Sequence, residues 1–295
     1  MDNAHLVAGV PLGGRPGLHP SLLVGSMFFD RQKLVKDHVT GEFDREAASQ
    51  QIELQRKFSE LTGNPAALDV VASTALAMRR YLDFVLEIFE GPIFVDGSKA
   101  EVRLAGIEYL AERGAVDRAV YNSISPESQT SELEAIQTLG VKSAVLLAVD
   151  PLDLSLAGKT RLLKDSNGLL PRIKAAGVET VLVDPGIIDL PSVGVFLSLS
   201  KTVKDLGCLL GGAPHNAFGT WSGLKNKFEA NFKSAATAVI NALPLAWGAD
   251  FVIYGPLPLA PIVFPAVAMV DTIMAQPLME EGIIPELDHP MFRIA

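Results

Sequence analysis

Nine polar residues stand where short apolar runs of this chain end: Ser26, Asp30, Ser73, Asp96, Asn122, Asp150, Asp184, Asn216 and Tyr254. The set is acidic and amidic. A carboxylate accepts two parallel hydrogen bonds from an amino group and an adjacent ring N–H, and an amide side chain donates and accepts at once. Such groups, gathered in one pocket, suit a donor-rich heterocycle such as a pterin or guanine. No Lys occupies a strand end, which disfavours Schiff-base chemistry. No turn carries the nucleophile-elbow pattern of a serine hydrolase.

The stretch "GCLLGGAPHNAFGTW", residues 207–221, concentrates the question. Gly211 and Gly212 let the backbone approach something closely. They either cradle a phosphate near the seventh and eighth strands or relieve crowding inside a barrel. Asn216 follows with an amide for a polar ligand, and His215 reads as a loop histidine or a secondary site residue. Asp184 lies well before the cap of the next helix, so a ligand role suits it better than capping. Asp96 is free for function because Ser98, with Glu101, already forms a capping box. Asn122 is either a site residue or a turn former ahead of Ser125 and Pro126, which look like a cap and a first helical residue. Asp150 precedes Pro151, a common loop start. Ser26, Ser98, Ser123, Asp150 and His215 complete the candidates.

Eight apolar runs position these residues: 21–30, 67–74, 92–98, 118–125, 143–150, 180–187, 208–215 and 250–257. Runs this apolar suit strands covered on both faces. Amphipathic segments separate them, with Asp189 and Pro191 at one helix start and Gly114, Gly140 and Gly177 at helix stops. Eight such units predict a (β/α)8 TIM barrel, whose chemistry sits at the C-terminal ends of its strands. An open doubly wound sheet is the rival, but no G-x-G-x-x-G follows the first strand. Residues 1–20 read as a hairpin or extended lead-in and 21–295 as the barrel. Residues 31–42 read as a long polar loop, either a lid or plainly solvated.

Composition narrows the classes. The 295 residues carry 25 Lys and Arg against 34 Asp and Glu, a net charge of −9. That disfavours nucleic-acid binding, which needs clustered basic residues. Cys208 is the only cysteine and reads as a core residue; the five histidines are scattered, so no protein-bound metal is expected. A single cysteine and the absence of a signal pattern fit a reducing, cytoplasmic setting. The apolar segment 257–275 reads as a strand end plus buried helix rather than a direct membrane insertion, because prolines and Asp271 interrupt it. A helix apolar nearly all round, 260–275, predicts a homodimer.

The series "LLVGSMFFD", "TGNPAALDVVAST", "IFVDGSKAEVRLAGIEYL", "DRAVYNSISPE", "VKSAVLLAVDP", "TVLVDPGIIDLPSVG" and "GGAPHNAFGTW" resembles the H subunit of tetrahydromethanopterin S-methyltransferase and its soluble bacterial relatives. These include enzymes moving a methyl group between a corrinoid protein and tetrahydrofolate in glycine betaine and methylamine catabolism. More distantly it is similar to the pterin-binding methyltransferases. The resemblance implies pterin contacts at Asp96 in "VDGS", Asn122 in "YNS", Asp184 in "VDP" and Asn216 in "GGAPHN". Pro214 and His215 replace the distant family's shorter G-x-S-N step, which gives His215 a family-specific role to fill.

What the resemblance implies is methyl transfer between a reduced pterin, tetrahydrofolate foremost, and cobalamin carried by a partner corrinoid protein. That partner docks over the barrel mouth, against residues 31–42. Asp96 and Asp184 then grip the pterin edge, Asn122 orients the ring, Gly211 and Gly212 belong to the pterin-binding set, and Asn216 lies nearest the reacting nitrogen. Three rivals stand beside this reading. They are a tetrahydromethanopterin-specific component of a membrane methyltransferase complex, a non-catalytic assembly component of such a complex, and a phosphate-binding barrel lyase using Gly211 and Gly212.

Overall fold

The computed structural model describes residues 4–221, 223, 227–228 and 230–294. One parallel strand falls on each of the eight apolar runs: β3 (Leu22–Met27), β6 (Ala66–Ala72), β7 (Ile93–Gly97), β8 (Ala119–Ile124), β9 (Ser143–Leu147), β10 (Thr180–Asp184), β11 (Leu209–Gly212) and β12 (Phe251–Pro256). They close into a barrel in the order β3-β6-β7-β8-β9-β10-β11-β12, the last pairing with the first. Helices connect them, so the architecture is a (β/α)8 barrel.

Strand alternation sorts side chains into two cores. Outward residues such as Leu68, Val95, Tyr121, Leu146 and Val183 pack beneath the helices. Inward residues Leu22, Val24, Ala67, Phe94, Val120, Val145, Leu182, Leu209, Phe251 and Ile253 fill the lumen. A short antiparallel hairpin, β1 (Ala4–Val7) with β2 (Val10–Gly13), closes the N-terminal end. Its Val7 and Leu12 join the lumen core, and Thr180 Oγ1 donates to the Leu6 carbonyl at 3.0 Å. The hairpin thus covers the N-terminal end of the lumen.

Helix starts follow local chemistry. Asp44, Thr74 and Ser155 accept hydrogen bonds from the first turns of their helices, and Asp189 with Ser192 forms a reciprocal capping box. Two sequence expectations differ from the structure. Ser98 caps nothing: the helix Ala100–Glu112 starts from Lys99 without a side-chain cap, and Ser98 is exposed. Ser125 and Pro126 lie in a turn, and the helix begins only at Thr130. There the Ser125 N–H bonds Ser128 Oγ, so the local side chain satisfies a loop rather than a helix end.

Residues 31–42 are more ordered than a solvated loop. β4 (Val35–Asp37) pairs with β5 (Glu42–Phe43), and Thr74 Oγ1 donates to the Val39 carbonyl at 2.7 Å. Phe43 packs edge-on against Phe28, Tyr81 and Phe84. Such aromatic contacts hold the hairpin onto the neighbouring helix.

The last strand ends at Pro256, so the apolar segment 257–275 holds no strand: it opens with a 3-10 turn, Leu257–Leu259, and continues as the helix Ala260–Glu280. Among the described residues it is the one helix long and apolar enough to cross a membrane. Here its inner face packs along the barrel. Buried Asp271 accepts from the Ser21 N–H (3.0 Å), Ser21 Oγ (2.7 Å) and Asn64 Nδ2 (2.6 Å). Burial pushes this carboxyl up to about 6, while those three bonds pull it back.

Candidate functional site

At the C-terminal mouth the lumen opens into a cavity of about 540 Å³. Inward parity toward the strand ends brings Ser26, Asp69, Asp96, Asn122 and Asp184 together; Ser123 joins them beside Asn122, and the turn after β11 adds His215 and Asn216. Apolar walls come from Phe29, Val71, Leu147, Ala213, Ile253 and Pro256. A flat, half-apolar heterocycle with a donor-rich edge fits such a lining.

Of the sequence candidates, Asp96, Asn122, Asp184, Asn216, Ser26, Ser123 and His215 therefore converge. Ser98 and Asp150 are not among the lining residues. Asp150 instead accepts the Leu152 N–H at 2.9 Å and shapes its loop. Gly211 and Gly212 stand behind the lining and make room for it. A Cβ on Gly211 would lie 2.2 Å from the Phe251 ring, and one on Gly212 would lie 2.5 Å from Asp184 Oδ1. Three further strand-end residues point elsewhere. Asp30 pairs with Arg31 in solvent, Ser73 is exposed, and Tyr254 faces outward to donate to Gln55 Oε1 at 2.6 Å.

The residue that reading strand ends missed is Asp69. It lies mid-run in "ALDVVAST", not at its end, yet shares inward parity with Val71 and lines the cavity. Its lone charge inside an apolar strand was the available signal. Asp69 Oδ2 accepts from Ser26 Oγ at 2.8 Å, and Oδ1 accepts from Asn122 Nδ2 at 3.2 Å. Thus Ser26 and Asn122 orient a carboxylate as well as facing the cavity.

Burial raises all three carboxyl groups of the cavity, and Asp69 acts further on Asp96. Burial raises Asp69 to about 6, with the Ser26 and Asn122 bonds opposing it. Asp96 stands well above the usual carboxylate range, first through burial and then through the charge of Asp69; Arg103 acts in the other direction. Arg103 is held behind the strands, donating at 2.6 Å to both the Gly97 carbonyl and Glu132. Burial also lifts Asp184 to about 6, opposed by the Gly186 N–H at 2.7 Å and the charge of Lys159. At neutral pH Asp69 and Asp184 are therefore largely ionised and present acceptors to the cavity.

His215 is the opposite case. Burial, and secondarily the charge of Lys233, lowers it to about 4, so the ring is neutral. Its Nδ1 is buried without a partner. An orphan acceptor costs less than an orphan N–H, which favours the tautomer protonated on Nε2. The ring packs edge-on to Phe218 at 5.1 Å and over Gly255, whose added Cβ would meet it at 2.9 Å. Asn216, beside it, is exposed at the cavity rim. Among the described residues no three His, Cys, Asp or Glu side chains form a metal-holding group.

Fold and site together define a TIM barrel of the pterin-binding type. Dihydropteroate synthase of Yersinia pestis superposes with a TM-score of 0.64 at 14% identity, covering 93% of this chain and 100% of that one. The Xanthomonas albilineans dihydropteroate synthase in complex with 7,8-dihydropteroate gives 0.58 at 17% identity, covering 95% and 98%. Residues 3–286 match the model of the tetrahydromethanopterin S-methyltransferase MtrH subunit family. The H subunit of the mtx methyltransferase of Methanosarcina barkeri is 35% identical over 294 residues, 97% of this chain and 95% of that protein. The H subunit of the tetrahydromethanopterin S-methyltransferase of Methanothermobacter marburgensis is 33% identical over 298 residues, 98% and 96%. The chain belongs to the MtrH family and is a methyltransferase of that type.

Proposed function

We propose that this chain transfers a methyl group between cobalamin carried by a separate corrinoid protein and a ring nitrogen of a reduced pterin. The observation that carries this reading is the convergence of Asp69, Asp96, Asn122 and Asp184 on one cavity, with His215 and Asn216 at its rim. Asp184 and Asp96 hold the amino and ring N–H fork of the pterin, and those donors favour the ionised form of each carboxyl. Asn122 and Ser26 fix Asp69 as a third acceptor. These contacts hold the reduced ring with its reacting nitrogen toward the mouth, and most of the acceleration comes from that placement.

In the direction of pterin methylation, the ring amine attacks the cobalt-bound methyl carbon. A C–N bond forms, the Co–C bond breaks, and its electron pair stays on cobalt as Co(I). The amine proton leaves to water at the rim, where Asn216 contacts the nitrogen whose charge changes. In reverse the same nitrogen must gain a proton to leave. The chain's own contribution is orientation and hydrogen bonding at that nitrogen.

Tetrahydrofolate is the acceptor we propose, with quaternary amines such as glycine betaine as the upstream methyl source. A second reading, tetrahydromethanopterin, is favoured by the substrate in the names of the relatives. A homodimer and a cytoplasmic setting belong to the same proposal. Mixing the protein with methylcobalamin and each pterin separates the readings. Loss of methylcobalamin absorbance with methyltetrahydrofolate formed supports the first. Turnover with tetrahydromethanopterin alone supports the second, and turnover with neither overturns the proposal.

A further inference from the structure

Lys159 is a buried cation that the methyl-transfer reading leaves unused. It lies on the helix Leu156–Lys164 with only 4% of its surface exposed. Its Nζ donates to the Ala148 carbonyl at 3.1 Å and the Pro185 carbonyl at 2.5 Å. Ala148 follows β9, and Pro185 follows Asp184 at the end of β10. The two strand ends are further joined by the Ala148 N–H donating to the Asp184 carbonyl at 2.8 Å. An ammonium has three donors, and two backbone carbonyls satisfy only part of its charge. A buried charge of this kind calls for a nearby opposite charge.

We propose that Lys159 is a positioning residue for the cavity: its buried ammonium ties the ends of β9 and β10 together and holds Asp184 as a carboxylate. The groups around Asp184 leave Lys159 as its cationic support. On the cavity side stand Asp69, Asp96 and neutral His215. Behind it is the Cα of Gly212, and below it the Gly186 N–H. Of these, the N–H and Lys159 alone favour the ionised form. Burial in turn lowers Lys159, the expected counterpart for a cation removed from water. Lys159 touches no cavity surface; it acts on a bound pterin through Asp184.

The binding part of the test rests on the pterin reading, and the titration part does not. The Asp184 carboxyl is followed by ¹³C NMR on ligand-free protein, its resonance identified by its loss in Asp184→Asn. Lys159→Gln keeps an amide donor and removes the charge; Lys159→Arg keeps the charge. The Asp184 midpoint is expected to rise in Lys159→Gln and to stay near the wild-type value in Lys159→Arg. The pH at which pterin affinity is half lost should rise with it. Lys159→Met is the second charge-free variant should Lys159→Gln fold poorly. An unchanged midpoint in the charge-free variants, or an equal rise in Lys159→Arg, overturns the proposal. Wild-type protein that binds no reduced pterin overturns the proposed function instead, and the titration still decides Lys159.

Discussion

At the residue scale, the cavity divides into groups that grip and a group at the reacting end. Asp184→Ala removes a charge-assisted pair of bonds present before and during transfer. Its loss should weaken pterin binding by roughly 1.5–3 kcal/mol. Asn216→Ala should act chiefly on turnover, because its contact strengthens as the nitrogen changes charge. Binding and single-turnover rates for both variants decide the assignment, which fails if the two effects are exchanged. The carboxyl groups also fix a pH dependence. Asp69 and Asp184 are both raised to about 6. Below that value they take up protons and lose the anionic acceptors, so affinity should fall as pH drops through about 6. Calorimetry across that range that shows constant affinity would exclude carboxylate gripping. How legible these residues were depended on position. Asp96, Asn122 and Asp184 stand out because each is a polar residue late in an apolar run. Asp69 does not, since only the closed barrel shows that its face is the lumen and that Ser26 and Asn122 close on it.

At the element scale, two backbone positions serve side chains of their neighbours. Gly212 leaves room for the Asp184 carboxyl, and an added methyl would press on it at 2.5 Å. Gly212→Ala should cost about 1–3 kcal/mol of stability through overpacking and displace the carboxyl from the cavity. Denaturant unfolding and pterin titration on the same variant check both parts. The helix Ala260–Glu280 is anchored by a polar contact in an apolar setting. Asp271→Ala would leave the Ser21 N–H and hydroxyl buried without their acceptor and take from Asn64 Nδ2 one of its two acceptors, at a cost of about 1–3 kcal/mol. A wild-type unfolding midpoint for this variant would show that Asp271 does not anchor the helix. The caps illustrate why local reading works unevenly. Asp189 caps as its sequence context suggests, with Ser192 returning the bond. Ser98 has an equally good pattern, but the chain leaves β7 so that helix geometry begins one residue later, with Ser98 in solvent.

At the scale of the whole molecule, the barrel leaves large apolar side chains of its closing helices uncovered. Met269 and Ile273 on the helix Ala260–Glu280 are 55% and 61% exposed, and Val239 and Trp247, on and just after the helix Ala230–Ala246, are 61% and 52% exposed. An apolar surface of this kind is a recognised mark of association. The proposed homodimer should scatter light at twice the 31.5 kDa chain mass, and Ile273→Glu should shift it toward monomer. A wild-type monomer at micromolar concentration would rule the dimer out. Treatment with a strong chelator should leave transfer from methylcobalamin intact; zinc-reversible loss of activity would contradict a metal-free site.

The sequence by itself determined the barrel and the chemistry class. Eight apolar runs with intervening amphipathic segments suit a parallel sheet covered on both faces, and polar residues ending those runs fall at the mouth in this fold. Period-two alternation also assigns lumen and helix faces once the strands are placed. Tertiary structure decided what depends on neighbours distant in sequence. It made Asp69 a cavity residue and showed Gly211 and Gly212 to be spacing positions. It turned the polar stretch 31–42 into a pinned hairpin through Phe28, Tyr81 and Phe84, and set Lys159 behind Asp184. These outcomes rest on burial and on through-space contact, which residue spacing along one chain does not encode until the barrel closes.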